Sequence, residues 1–552
     1  MKLRFTCAVC AIGACLLSGI GFAPGPLQAA EVPAAGASPV PAPPAPALTF
    51  DIKSFAVSGN TLLPQARIDK VLAPFIGPRK DFGDVQRALE ALQDAYVAAG
   101  YGVVLVTLPE QELDQGVVKF AAIEPRLGKV DIEGNKFYDN ENIRRSLPSL
   151  AEGKTPNSQA MADNLRLANQ NPGKGQQVLL RAGANEGEVD AVVRVADSDA
   201  KRYSVSLDST GTSSTGYFRL GVGFQQANFW DRDIVVTGQY ITSPDHYDDV
   251  TIAAVGASIP FYSLGDSLDL VLAYSNVNSG TVQNLFNVAG AGWVFSARYN
   301  RNLPRVFEGY EQKLVFGYDQ KRFRNSVTTV GAGVGLVPDI TIQPISMVYN
   351  GVLKRSNQQL GFYFGGFWNP FNGGGDQSNE VFDLSRQNAT PSYHLGRAGA
   401  TYVFATTKDY QFRFNGNMQW TRDALIPAEQ LGLGGMYNIR GFTERQYAAD
   451  QGWWANFEFY TPNLGPALEL DGSQMRFLIF RDTGWGKFNY NQPPQNQTFG
   501  LDSYGAGVRY LYKDSLSLRV DLAKVTHDGA GTTSADGRRN SGRISMAAIF
   551  SF

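Results

Sequence analysis

From Arg202 to its last residue the chain alternates. Tyr203, Val205 and Leu207 are interleaved with Ser204, Ser206 and Asp208, and Phe218, Leu220, Val222 and Phe224 with Arg219, Gly221, Gly223 and Gln225. The same pattern recurs at Tyr410, Phe412 and Phe414, with Met418 and Trp420 continuing the row, and at Leu516, Leu518, Val520 and Leu522, separated by Ser517, Arg519 and Asp521. A period of two gives each strand one apolar and one polar face. A soluble sandwich shares that period, but here the polar face carries Arg, Asp, Asn and Gln together with glycine, as a wet lumen would. At about 20–22 residues per strand and connection, this region of roughly 350 residues predicts a transmembrane antiparallel β-barrel of about 16 strands, with no helix in it. The last strand carries Ile544, Met546, Ala548, Phe550 and Phe552 on one face. It is expected to pair with the strand near Tyr203, because an open edge in lipid leaves backbone groups unpaired.

Before Arg202 the period changes and a repeat is visible. "FAVSGNTLLPQARIDKVL" begins at Phe55 and "VDIEGNKFYDNENIRRSL" at Val130. In each copy a short strand ends in a Gly-Asn turn pair, Gly59-Asn60 or Gly134-Asn135. Two helices follow: residues 65–75 and 84–99 in the first copy, 140–147 and 158–169 in the second. Val85, Leu89, Leu92 and Tyr96 form one apolar stripe at helical spacing. Each copy closes with two strands, 103–108 and 117–123, then 177–181 and 189–195. The order is β-α-α-β-β, twice, in two α+β modules over 50–124 and 125–198.

The N-terminus reads as an export signal over 1–30: Lys2 and Arg4, an apolar stretch from Phe5 to Phe22, and a cleavage zone at Gln28-Ala29-Ala30. Ile12-Gly13-Ala14-Cys15 resembles a lipoprotein box only loosely. Residues 31–49 are a Pro/Ala-rich linker, whose "PAAGASPVPAPPAPAL" favours extended polyproline structure.

Composition narrows the function. The formal net charge of −2 provides no basic field for nucleic acid. All three cysteines, Cys7, Cys10 and Cys15, lie within the export signal, so the mature chain is expected to have no thiol chemistry. His246, His394 and His527 are far apart, and no HExxH pattern, nucleophile elbow or P-loop is present. "FNGGGDQSNE", 371–380, lacks the acidic spacing of a calcium loop and reads as a flexible surface loop. Neither an enzyme nor a metal or other cofactor site is expected.

Two short motifs remain. Ile439-Arg440-Gly441-Phe442 lies in the glycine-rich stretch "LGLGGMYNIRGFTERQ", and Phe480-Arg481-Asp482-Thr483-Gly484 follows on a strand. The repeated modules resemble POTRA domains. Two such modules before a barrel, with these motifs in this order, are similar to the transporters of two-partner secretion, of the haemolysin-activator and filamentous-haemagglutinin-exporter type. "NPGKGQQVLLRAG" and "RNLPRVFEGYEQKLVFGYDQKRF" carry the same resemblance. It covers essentially everything after the linker.

The resemblance implies a barrel over 199–552 in the outer membrane, with the modules in the periplasm. It implies a loop near 425–450 folded into the lumen, with Ile439, Arg440, Gly441 and Phe442 at its tip and Phe480, Asp482 and Gly484 on the facing wall. A loop threading a barrel needs glycine to pack closely, hence Gly432, Gly434, Gly435 and Gly441. A partly buried guanidinium needs a carboxylate, and Asp482 is the expected partner. The terminal aromatic, with Phe550 and Phe552 on one face, resembles the signal that delivers barrels to the assembly machinery. The implied activity is export of a large, unfolded partner protein, with outer-membrane lipid around the barrel. Members of the family carry a plug helix ahead of the first module, but the Pro-rich linker here predicts none. The alternatives are a barrel-assembly or insertase protein of the same superfamily, which the count of two modules disfavours, and a passive porin or adhesin barrel, which would not need a docking arm.

Overall fold

In a computed structural model the chain is described over residues 49–552, apart from 113, 214, 278–280, 283–285, 288–290, 325–337, 491–496 and 530–536. The export signal, the linker up to residue 48 and the plug-helix expectation all fall outside the described residues. The described residues form two units, one ending at Ser198 and the other running from Asp199 to Phe552.

The first unit holds both modules. In the first, the strand Ser54–Ser58 lies parallel to Val117–Ile123, which pairs antiparallel with Leu105–Thr107. In the second, Arg126–Glu133 lies parallel to Glu188–Asp197, with Lys174–Ala182 antiparallel on the other side. The first and last strands are therefore neighbours in both copies, and the helices are packed between them in sequence. The helix Phe82–Ala98 starts two residues earlier than its apolar stripe predicts. Asp81 accepts from the Asp84 N–H and Asp84 returns the bond, a reciprocal cap that fixes the helix start. Val85, Leu92 and Tyr96 are buried with Ile68, Leu72 and Phe120. The first copy adds a ribbon, Phe50–Ile52 against Gly77–Lys80, which has no periodic signal in the sequence.

The Gly-Asn turns have the same physical cause in both copies. Gly59 and Gly134 have φ of +75° and +90°, and a Cβ there would strike the carbonyl oxygens of Ala122 and Val195 in the adjacent last strand. A carboxylate at the end of that strand then gathers the N–H groups that follow the turn. Glu124 accepts from Thr61 and Leu62, and Asp197 from Lys136, Phe137 and Tyr138. The modules are joined where Asn157 and Ser158, at the start of the helix Ser158–Ala168, bond the carbonyls of Ala99 and Gly100 at the end of the first module's long helix.

The second unit is a closed antiparallel barrel of 16 strands, with Ile340–Ile342 as a short extra segment against the far end of Tyr310–Phe323. The first strand, Lys201–Asp208, closes on the last, Gly542–Ser551, in the register Ser204↔Ser551 to Asp208↔Ala547. Tyr203 and Phe552 extend the seam with reciprocal backbone hydrogen bonds of 2.9 and 3.0 Å. The apolar rows face outward: Val205, Val222, Phe412, Trp420, Leu522, Ile544 and Met546 are all exposed. Their polar neighbours Arg219, Gln411, Asp521 and Ser545 are buried. That inversion separates a membrane barrel from a soluble sandwich, because only lipid stabilises such a belt. Among the described residues no helix is long and apolar enough to cross a membrane, which says nothing about crossing by strands.

Two expectations need correction. A helix does occur inside the barrel region, Asn379–Ser385, and the stretch 371–380 is structured rather than a flexible loop. It contains a 3₁₀ turn, Gly375–Gln377, and leads into that helix. Ser378 caps the helix by accepting from the Val381 N–H, and Phe382 is fully buried beneath it. A helix of seven residues with one buried apolar anchor is too short to be seen as a period.

Candidate functional site in the barrel lumen

The connection between Gln411–Thr421 and Gln451–Tyr460 is the longest between barrel strands whose residues are all described. It is gathered by a ribbon, Leu431–Leu433 against Tyr447–Ala449, and the tip lies beyond it. The tip meets the inner faces of neighbouring strands. On the strand Ser473–Lys487, Phe480, Asp482 and Gly484 are buried, whereas Ile479 and Arg481 are not. The spacing of two in the motif puts its three defining residues on the lumen side.

Arg440 is 1% exposed and Asp482 is 0% exposed. The Arg440 Nε donates to Asp482 Oδ2 at 2.7 Å, its Nη2 to Oδ1 at 2.7 Å, and its backbone N–H to Oδ2 at 3.0 Å. The guanidinium carbon lies 3.4 Å from the centre of the Phe480 ring, a cation–π contact. Asn456, opposite Asp482 in the register of the next strand, donates to Asp482 Oδ1 at 2.8 Å and also to the carbonyl of Asn438 in the loop. The motif residues are thus brought together, apart from the exposed spacer positions.

Asp482 is not the only carboxylate at the site. Arg440 Nη1 donates to Glu458 Oε1 at 2.8 Å, and Asp521 Oδ1 lies 3.6 Å away. Arg509 and Arg519 both bind Asp521, at 2.8 and 2.7 Å, and Arg519 also donates to the loop carbonyl of Met436 at 2.8 Å. Three arginines face three carboxylates, so the nest is neutral. A buried charge is retained only when its hydrogen-bonding groups are met in this way. Glu458, Asp521 and Asn456 were not among the predicted site residues. Their signal was available: each is on the polar face of its strand, and Glu458 is a lone carboxylate among aromatics in "NFEFY".

Packing locks the rest of the tip. Ile439 and Phe442 are buried with Leu433, Ala449, Phe499, Leu501 and Val525. Gly441 has φ of +98°, and a Cβ there would lie 2.9 Å from Val525 Cγ2. At Gly484 a Cβ would overlap Ile439 Cδ1. Phe550 and Phe552 are not part of this site: both are exposed on the outer, apolar face at the seam. Chemically the arrangement is a buried, charge-balanced hydrogen-bond network between the loop tip and the wall. Among the described residues no group of three or more His, Cys, Asp or Glu is placed to hold a metal ion.

The chain matches two family models. Residues 187–510, more than half of its length, match "Haemolysin secretion/activation protein ShlB/FhaC/HecB", and residues 50–124 match "POTRA domain, ShlB-type". It is 23% identical over 504 residues to the outer membrane transporter CdiB of Escherichia coli, covering 85% of this chain and 80% of that protein. It is 23% identical over 485 residues to the heme/hemopexin transporter protein HuxB of Haemophilus influenzae, covering 82% and 79%. The solved structure of CdiB from Escherichia coli superposes with a TM-score of 0.72 at 18% identity, covering 93% of each chain. CdiB from Acinetobacter baumannii gives 0.67 at 15%, covering 92% and 90%.

Proposed function

We propose how this chain works from the family to which it belongs, the haemolysin secretion/activation proteins of the ShlB/FhaC/HecB type. It is an outer-membrane transporter that exports a partner protein by two-partner secretion, with its POTRA modules in the periplasm. Members of the family are transporters rather than enzymes.

In our reading the partner is one large exoprotein that arrives unfolded. An extended segment of it adds to an open strand edge of a module, where main-chain hydrogen bonds demand little of its sequence. The 178–182 part of the strand Lys174–Ala182 is such an edge, since its one strand partner among the described residues is Glu188–Asp197, whereas Asn169 occupies both main-chain groups of Gln176. The chain then passes through the lumen as the inward loop gives way. Arg440 holds that loop at rest, and its release from Asp482 and Glu458 frees the path. Outside, folding of the partner prevents its return. The outward apolar belt meets outer-membrane lipid, and Phe550 and Phe552 present the closing strand to the barrel-assembly machinery.

The observation that carries this reading is a fully buried, carboxylate-bound arginine on a loop that a transporter must displace. The test is co-expression of the chain with an exoprotein encoded beside it. The wild type should deliver the exoprotein to the medium, and Arg440→Ala should not, at equal levels of inserted barrel. Equal delivery by both would refute the latch.

A further inference from the structure

The inward loop is held at a second place. Arg386 directly follows the helix Asn379–Ser385, in the connection between the strands Gln358–Asn369 and Tyr393–Ala405. Its two terminal nitrogens engage both oxygens of Asp450, with Nη2 to Oδ2 at 2.6 Å. Arg386 Nη1 also donates to the carbonyl of Leu425. Asp450 is the last residue before the strand Gln451–Tyr460, so it forms one root of the loop, and Leu425 lies near the other. Asp450 ties the roots together itself, since its Oδ1 accepts from the Leu425 N–H at 3.0 Å. Its Oδ2 accepts from the Asn489 N–H at 2.9 Å.

Both charges are buried, Asp450 completely and Arg386 to 8% exposure. On one side an apolar cluster packs the two connections together, with Phe382 of the helix against Tyr393, Leu425, Ile426, Ile340 and Ile342. Ala389 of the same connection pairs with Ala424 of the loop in an isolated parallel bridge. Apolar packing alone would hold two loops together. A desolvated, bidentate ion pair adds a unique register, and opening it strands the buried guanidinium, while Asp450 keeps Leu425, Asn489 and Gln430 as donors. Contact therefore tends to be made or lost as a whole.

We propose that Arg386 and Asp450 form a second latch, through which the 370–392 connection clamps the roots of the inward loop while Arg440 clamps its tip. With the tip released alone, the roots remain fixed and the loop cannot swing as a body. Export thus requires the 370–392 connection to part from the loop. This rests on the export reading above, because passage of a chain is what demands that movement.

The experiment uses the full chain with Ala389→Cys and Ala424→Cys together. Bridge-paired positions lie within reach of a disulfide, and both alanines are buried, so the change is small. Secretion of the exoprotein is compared under oxidising conditions and after reductant, with each single substitution as control. Oxidation of the double variant should cut secretion at least tenfold, reductant should restore it, and the single substitutions should behave as wild type. Secretion by the oxidised double variant at the wild-type level overturns the proposal. A second measurement needs no partner: in planar bilayers Arg386→Ala should raise the open fraction several-fold and Arg386→Lys less. Conductance records of Arg386→Ala that match the wild type also overturn it. Failure of the wild type itself to export the exoprotein speaks against the export reading, and the bilayer records then decide the latch separately.

Discussion

Arg440 and Asp482 are joined by three hydrogen bonds, one from the backbone N–H and two from the guanidinium, inside a barrel that solvent does not reach at this point. The bond from the backbone matters as much as the fork. It fixes the loop's main chain, whereas the side-chain bonds fix only the charge.

Loss of either partner should therefore differ in degree. Arg440→Ala leaves Asp482 buried without its cation and Glu458 with Arg509 alone, 4.0 Å away, a change worth on the order of 3–5 kcal/mol. Asp482→Ala leaves Arg440 bound to Glu458 at 2.8 Å. Secretion should fall most for Arg440→Ala, less for Asp482→Ala, and only partly for Arg440→Lys, whose ammonium cannot reproduce the fork. The double variant should be no worse than Arg440→Ala, since partners in one contact are not additive. Additive losses in the double-mutant cycle would show that the two residues act separately.

Gly484→Ala tests the wall without touching a charge. The added methyl would collide with Ile439, which must shift and take the neighbouring Arg440 with it, an overpacking of about 1–3 kcal/mol. The barrel should still insert and show heat-modifiable migration. Secretion should drop several-fold and bilayer conductance should become noisier. A silent variant would mean that the tip tolerates movement.

The seam offers a test of membrane delivery. Tyr203 and Phe552 share two backbone hydrogen bonds, and their rings lie 5.9 Å apart. Deleting Phe552 removes the bonds and the ring, whereas Phe552→Ala removes only the ring. Both should lower the yield of inserted protein, the deletion more. If neither does so, the delivery signal lies elsewhere.

Asp197 predicts a pH dependence in the second module. Burial pushes its pKa up, but the N–H donors of Phe137, Lys136 and Tyr138 outweigh this and hold it below the usual carboxylate range. A lowered folded pKa stabilises the fold above the unfolded value of about 3.9 and loses that contribution as pH falls through the folded value. Asp197→Asn should cost about 1–2 kcal/mol near neutral pH, as expected for hydrogen bonds to a charge. Thermal unfolding of a 49–198 fragment should show the gap from wild type closing as the pH falls below the unfolded value of about 3.9. A gap independent of pH would assign the loss to packing.

Local patterning is enough to read the architecture. Alternation is a local property that each strand carries without its neighbours, so the barrel was legible from rows such as Tyr203–Asp208 and Leu516–Ala523. The module repeat was legible for a similar reason: Gly59 and Gly134 each face one nearby carbonyl, and the turn residues needed are written beside them. The partners of the buried charges follow from how the strands and loops meet in space. Alternation says that Glu458, Asp482 and Asp521 point inward, but it gives no strand register and no position for the loop tip among them. Glu458 and Asp521 reach Arg440 because three strands present their inner faces to one point, and that is a property of closure. The Arg386–Asp450 pair lay further out of reach. It joins two connections with no shared period, and its geometry depends on a helix of seven residues whose local mark is Ser378.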